Sequence, residues 1–156
     1  MFESLQGLIN GFGIATTVQN LFYCLIGAIV GTLVGVLPGL GPIAGIALLI
    51  PATFGLNATS AIIMLAGIYY GAMYGGSTTS ILLNVPGETA SVITCIDGYQ
   101  MAQKGRAGPA LAMCAIGSFV AGTIGIFGLV FLAPPLAEAA LAFGPPEYFS
   151  LMAFGF

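Results

Sequence analysis

The sequence predicts an all-α, polytopic transmembrane protein, and three observations support this fold class. Of the 156 residues, 58% are hydrophobic and 4% are charged, whereas about a quarter of the residues in a soluble domain carry charges. The chain between Glu3 and Glu88 is uncharged, which is far longer than the roughly 20 apolar residues that cross a bilayer once. Glycine and proline divide this apolar sequence into segments of helical length. A soluble globular domain and a disordered chain are therefore excluded.

The first long helix is predicted to span the membrane and to pack closely against another helix. Residues 1–18 precede it and are predicted to be an interfacial or weakly amphipathic segment. Residues 21–37 are uncharged and would form a helix of about 25 Å. Gly27, Gly31 and Gly35 recur at every fourth position and share one face. This spacing is typical of membrane helices that approach each other closely.

A break in the helical structure is predicted within residues 35–54. The first helix should end at Pro38, because proline lacks an amide hydrogen and clashes with the preceding turn. Gly39 and Gly41 can adopt positive φ, and Pro42 suits the first turn of a new helix. This new helix has only about a dozen residues, too few to span a bilayer by itself. We therefore predict a discontinuous or re-entrant helix in this region.

A second break is predicted after the next helix. This helix extends from about Ala58 to Tyr74 and continues the same glycine spacing at positions 67, 71 and 75. Residues 74–88 contain four consecutive hydroxyl side chains and end in Pro86-Gly87-Glu88. We expect this segment to be another loop between half-helices.

The remaining sequence predicts further helices on either side of a polar loop. The loop, residues 100–108, holds both basic residues of the chain, Lys104 and Arg106. It is predicted to face the cytoplasm, because basic residues near membrane helices favour that side. The whole chain, 1–156, is expected to be one membrane domain. Its last elements are a segment too short to span at 89–98, a span at 109–133 that Pro134-Pro135 should end, a short helical piece at 136–143, and a helix opened by Pro145-Pro146.

The two breaks are the candidate binding regions of the chain. Unpaired backbone groups in hydrocarbon cost several kcal/mol, so irregular backbone at membrane depth survives only inside protein or beside a cavity. The N-termini of half-helices suit an anion, and unwound carbonyl groups suit a cation such as sodium. The alternative is that both breaks are ordinary loops at the bilayer surface. The candidate substrate- or ion-binding residues are Pro38, Gly39, Gly41, Ser77, Thr78, Thr79, Ser80, Asn84 and Glu88.

The polar residues of the second break have simpler explanations as well. On a helix, Ser77, Ser80 and Asn84 would share one face, where their hydroxyl and amide groups can donate and accept hydrogen bonds. Serine and threonine hydroxyls also commonly donate to the carbonyl four residues earlier. An acid near a membrane helix is a functional candidate, yet Glu88 would also suit the membrane interface.

Enzymatic activity, a cofactor and a metal site are not predicted. Serine chemistry needs an activating base, and the chain has no histidine. No Gly-Lys-Ser or Gly-Lys-Thr sequence follows the glycine-rich stretches, so a phosphate-binding loop is absent. The three cysteines lie in apolar surroundings and are predicted to be packing residues. Two basic residues cannot track a phosphate backbone, so no nucleic-acid partner is expected.

Two ungapped motifs give the chain a family resemblance. Gly35-Val-Leu-Pro-Gly-Leu-Gly-Pro-Ile-Ala-Gly-Ile-Ala-Leu-Leu-Ile-Pro-Ala-Thr-Phe54 and Tyr74-Gly-Gly-Ser-Thr-Thr-Ser-Ile-Leu-Leu-Asn-Val-Pro-Gly-Glu88 resemble the large membrane subunit of the tripartite tricarboxylate transporter family (TctA). The similarity continues through Asp97-Gly-Tyr-Gln100 and Lys104-Gly-Arg-Ala-Gly-Pro109.

The resemblance implies a carrier in the bacterial inner membrane, driven by a gradient of sodium or, in some members, protons. It implies two partners, a small membrane subunit and a periplasmic protein that delivers a carboxylate such as citrate. Family members contain two related halves of inverted orientation, and the chain is expected to correspond to the N-terminal half. A non-transporting structural or channel-forming membrane subunit remains the alternative function.

Overall fold

The computed structural model of the chain describes residues 2–141 and 143–155. Helix makes up 86% of the structure, and no strand occurs among the described residues, so the prediction of an all-α protein is confirmed. Within the same residues, three helical segments are long and apolar enough to cross a membrane: Val18–Gly35, Ala58–Leu83 and Ala107–Glu138. The helices are α1 (Phe2–Ala15), α2 (Val18–Gly35), α3 (Gly41–Leu49), α4 (Ala58–Leu83), α5 (Val92–Gln103), α6 (Ala107–Leu141) and α7 (Pro145–Gly155), with 3₁₀ turns at Ile50–Thr53 and Thr89–Ser91.

Helices α2 and α4 form the most extensive helix pair, and glycine makes their close approach possible. The glycine faces predicted from the sequence are buried in this interface. A Cβ atom added at Gly31 would lie 2.7 Å from the Cα of Ile68. One added at Gly71 would lie 2.8 Å from the amide nitrogen of Thr32. The backbones therefore touch directly, as the small-residue spacing predicted.

The two helices of this pair run in the same direction. Gly27 lies opposite Met64, Gly31 opposite Ile68 and Gly35 opposite Ala72, so the partner moves forward by the same four residues each time. The chain between two parallel helices must return over the full length of the pair. Helix α3 and the following 3₁₀ turn make this return and pack against α4 and α2.

A buried polar contact holds the end of this pair where both helices begin. The Ser60 hydroxyl donates a hydrogen bond to Asn20 Oδ1 at 2.6 Å. Asn20 Nδ2 donates to the Ile14 carbonyl at 2.8 Å, which connects α1 to the pair. The Ser60 amide donates to Asn57 Oδ1 at 2.8 Å and caps α4. These partners satisfy polar groups that are costly to bury alone.

The second predicted break is much shorter than expected. The prediction of a loop from Tyr74 is wrong, because α4 remains helical to Leu83 and only residues 84–88 are irregular. The hydroxyl side chains do not interrupt the helix, since each donates to a carbonyl of the preceding turn. Gly75 is tolerated within the helix because its lack of a side chain lets α4 pack directly against the backbone of α2.

Two further predicted boundaries are also wrong. Pro134 and Pro135 do not end the span, because α6 continues to Leu141 and includes most of the predicted piece 136–143. Proline is tolerated inside helices of membrane proteins, because local adjustments of the helix and neighbouring groups can satisfy the backbone groups that it frees. The polar loop 100–108 is reduced to residues 104–106, because α5 extends to Gln103 and α6 begins at Ala107. Gly105 closes α5 with φ of 74° and an amide hydrogen bond to the Ala102 carbonyl.

Helix α6 runs along the outside of the pair and exposes apolar side chains. It contacts α4 and α5, and Tyr70 of α4 lies in ordinary contact distance of Gly122. None of its most apolar stretch is buried within the structure. Such a surface is expected of a helix that faces lipid or further membrane helices.

Candidate functional site

The first break lies well inside the length of α4. The end of α2 is level with Gly75, where an added Cβ would lie 3.0 Å from the Val36 amide nitrogen. Helix α4 continues from there to Leu83, which adds about 12 Å at 1.5 Å per residue. The irregular residues 36–40 are therefore flanked by helix and do not project beyond the end of the bundle.

The second break folds back to the same level. Asn84 ends α4 in the left-handed conformation, with φ of 57°. The following residues return along α4 until Gly87 packs against the Cα of Gly76. Helix α5 then runs back towards the end of α4, because Gly98 contacts the side chain of Ile81. Residues 84–103 thus run back along α4 as far as Gly76 and then return towards the end of α4.

The two breaks meet through their backbones. The Gly39 amide donates a hydrogen bond to the Gly87 carbonyl at 3.2 Å. A Cβ added at Gly87 would lie 3.0 Å from the Gly35 carbonyl oxygen. The lack of a side chain at Gly87 therefore lets three backbone segments come together at one point.

A cavity of about 600 Å³ opens beside this junction. Helix α3 begins at its wall, and so does the 3₁₀ turn that leads into α5. The first amides of a helix have no partner within that helix and carry the positive end of its dipole. The lining residues are Gly39 to Ile43 from the first break, Tyr69 and Met73 from α4, and Pro86 to Ala90 with Val92 from the second break.

Three of the predicted site residues line this cavity: Gly39, Gly41 and Glu88. Both glycines have the positive φ that the sequence allowed, 87° for Gly39 and 59° for Gly41. No heavy atom lies within 4 Å of a Cβ added at either position, so their role here is conformational and they leave the cavity wall open.

The other predicted site residues lie elsewhere. Pro38 and Asn84 are exposed and do not line the cavity. Asn84 lies just beyond the last residue of α4, so it does not share a helix face with Ser77 and Ser80. The hydroxyls of the four consecutive residues donate to carbonyls of their own helix: Ser77 to Met73, Thr78 to Tyr74, Thr79 to Gly75, and Ser80 to Gly76. A contact between these side chains and a substrate or ion stays a prediction.

Thr79 has an additional structural role. Its hydroxyl lies 3.2 Å from the Val36 carbonyl, which belongs to the end of α2. Proline at position 38 and the turn after it deprive the end of α2 of regular helical partners. Thr79 therefore helps to hold the first break against α4.

Glu88 is the carboxylate of the cavity wall. Its side chain is half-buried. The Glu88 amide donates to Ser91 Oγ at 3.2 Å, and the Ser91 hydroxyl donates to the Glu88 carbonyl at 2.9 Å. These bonds fix the backbone of Glu88 at the start of the 3₁₀ turn. Glu88 lies outside the three long helices, and its partial burial raises the pKa of the carboxyl above the usual value for glutamate.

Sequence comparison assigns the chain to a family. Residues 21–156 match the family described as "Tripartite tricarboxylate transporter TctA family". The chain belongs to the TctA family. The matched region includes both breaks and every residue that lines the cavity, and the resemblance found in the two sequence motifs is confirmed.

A curated relative of this TctA-family chain comes from Agrobacterium vitis, where it is described as an uncharacterized 52.8 kDa protein in the TAR-I ttuC′ 3′ region. The two sequences are 56% identical over 155 residues, which is 99% of the chain and 31% of the relative. The chain therefore spans about a third of the length of this relative. No solved structure matches the chain.

The sequence motifs pointed to Gly39, Gly41 and Glu88 but missed the other residues that build the site. The junction has no room for a side chain at Gly87, which packs against the backbone of Gly76, and Tyr69 and Met73 line the cavity from α4. The sequence does contain a signal for Gly76. This glycine follows directly after the series at every fourth position, so it leaves a second face of α4 without a side chain. The two lining side chains of α4 had no comparable signal, since their position depends on how the second break folds back.

Proposed function

We propose that this chain carries a binding site of a membrane carrier for citrate-like di- or tricarboxylates. The observation that supports the proposal is the cavity at which two short helical elements begin, in a chain of the TctA family. Helix α3 leads from the cavity towards the beginning of α4, and α5 leads in the opposite direction. Both helices thus direct their N-terminal ends towards one small space.

The chemistry of the wall suits a carboxylate held by backbone groups. Neither Lys104 nor Arg106, the two basic residues of the chain, lines the cavity. The amides of Gly41 and Ile43 at the start of α3, and those of Thr89 and Ala90 in the 3₁₀ turn, are first-turn donors. Helix N-termini of this kind bind anions in soluble proteins and in transporters with broken helices. The volume falls within the usual range of small-molecule sites.

The proposed carrier includes more than this chain. In the proposal, a second, inverted repeat completes the site, and the exposed apolar surface of α6 faces lipid or helices of that repeat. A small membrane subunit and a periplasmic substrate-binding protein are the proposed partners, and the bacterial inner membrane is the proposed location. Uptake is driven by a gradient of sodium or protons. No cofactor takes part.

The test compares two glycine substitutions in the full-length carrier with its partner subunits. Gly41→Val should lower carboxylate uptake by about tenfold or more, because a β-branched residue is strained at positive φ and would occupy the cavity wall. Gly45→Ala is the matched control within α3. Its Cβ would meet the Val34 side chain at 3.2 Å, which can shift, so uptake should remain within about twofold of wild type.

Uptake of radiolabelled citrate and of shorter dicarboxylates is measured at equal membrane abundance, with either a sodium or a proton gradient. Equal activity of the two variants would mean that the break is only a surface turn. Failure of the wild-type complex to take up any carboxylate under either gradient would favour the structural or channel-forming alternative.

A further inference from the structure

The cavity contains an acidic side chain that would repel the proposed anionic ligand. Among its lining residues, Glu88 has the one carboxyl side chain, and Tyr69 of α4 is the other titratable group. The lining residues from α3 and α5 are glycine, proline and aliphatic side chains. Asp97 of α5 and the two basic residues after it are not part of the wall. A carboxylate substrate would therefore meet an acid without a basic side chain beside it.

The size of the cavity makes this conflict unavoidable. A sphere of 600 Å³ has a diameter of about 10 Å, which is close to the Debye length at physiological ionic strength. An anion held anywhere in the cavity thus lies within reach of an ionised Glu88. The surrounding wall is mainly apolar, so solvent screens the repulsion less than it would at an open surface.

We propose that Glu88 is the coupling group of the carrier, where a cation must bind before the anionic substrate is accepted. This inference rests on the proposed function. A proton would convert the carboxylate into a neutral carboxylic acid, and a sodium ion would leave it ionised but neutralise its charge. In either case the cation and the anion occupy the cavity together and leave it together, which links their transport.

The local structure suits this role. The backbone of Glu88 is fixed by its hydrogen bonds with Ser91, so the residue is held at the cavity wall. Partial burial raises the pKa of Glu88 and so favours the neutral form. If the cation is a proton, uptake should increase as the pH falls towards this raised pKa and decrease as the pH rises above it.

The experiment measures uptake by the full-length carrier and its partners for wild type, Glu88→Gln, Glu88→Asp and Glu138→Gln. Glutamine keeps the shape of the side chain without its charge, and aspartate keeps the charge. Glu138 is an exposed acid on α6 outside the cavity, so Glu138→Gln controls for loss of one negative charge. One arm varies sodium at constant pH, and the other varies pH between about 6 and 8 without sodium.

Wild type should change its uptake by about tenfold or more in one of the two arms, which identifies the cation. Glu88→Gln should take up substrate with less than about twofold change in both arms. Glu138→Gln should behave as wild type, and Glu88→Asp should keep the dependence on the cation. The inference is overturned if Glu88→Gln keeps the full dependence, or if wild type depends on neither cation. Absence of any wild-type uptake would instead refute the proposed function.

Discussion

Substitution of Gly31 by alanine tests the packing on which the whole site depends. Gly31 lies in the middle of the α2–α4 interface, opposite Ile68, whose side chain is completely buried. An alanine Cβ would lie 2.7 Å from the Cα of Ile68 and 2.8 Å from its carbonyl carbon. All three nearest atoms belong to the backbone, so no side-chain rotation can relieve the overlap.

The expected cost follows from this geometry. Ordinary contact begins at 3.4 Å, so the helices would have to separate by about 0.7 Å or more, which weakens dispersion contacts along the interface. Overpacking of this kind costs about 1–3 kcal/mol, and the rigid backbone places Gly31→Ala at the upper end. Alanine regains roughly 1 kcal/mol of helix propensity relative to glycine. The net loss should be about 2 kcal/mol, or a decrease in Tm of about 4–8 °C.

The measurement is thermal unfolding of the purified chain in mild detergent. The readout is the fraction of protein that remains monodisperse after heating. Gly125→Ala is the matched control, because Gly125 also lies within a long apolar helix but has no atom within 4 Å of an added Cβ. It should be as stable as wild type or slightly more stable, since only helix propensity changes. If Gly31→Ala is as stable as Gly125→Ala, the backbones of α2 and α4 do not touch and the reasoning fails.

Two further predictions concern the orientation of the chain and the polar contact at the beginning of the helix pair. Lys104→Cys should react with a membrane-impermeant maleimide only from the cytoplasmic side. Ala58→Cys, at the beginning of α4, should react only from the periplasmic side. Labelling of both variants from one side would contradict the predicted orientation. Asn20→Ala should lower the free energy of unfolding by about 1–3 kcal/mol, because it leaves the buried Ser60 hydroxyl and the Ile14 carbonyl without these partners. In a double-mutant cycle, Ser60→Ala should add little to Asn20→Ala, whereas additive losses would show that the two side chains act separately.

The glycine pattern shows what local sequence can establish. Glycine at every fourth position lies on one face of any helix, because the period of the helix is close to four residues. That rule predicted two bare faces and their close packing. It did not predict that α2 and α4 run in parallel, because the same spacing serves parallel and antiparallel pairs equally well. The direction depends on how the chain between them returns, which is a property of the whole fold.

The boundaries of the two breaks likewise depend partly on local sequence and partly on the whole fold. The end of α2 near Pro38 and the positive φ of Gly39 and Gly41 follow from covalent structure, so the sequence predicted them. The second break begins at Asn84, ten residues later than the sequence predicts. In the folded chain the hydroxyls donate to their own helix and the glycines are used for packing.

Composition, glycine spacing and the proline–glycine motifs by themselves determined the fold class, the helices that can span a membrane and the family of this protein. These features act over a few residues or over the average of the chain, so no contact between distant segments is needed to recognise them. The tertiary structure alone decided that Gly39 meets Gly87, that Glu88 faces the start of α3, and that one cavity lies between them. Those contacts join residues almost fifty positions apart, and they exist only because the parallel helix pair brings both breaks to the same level.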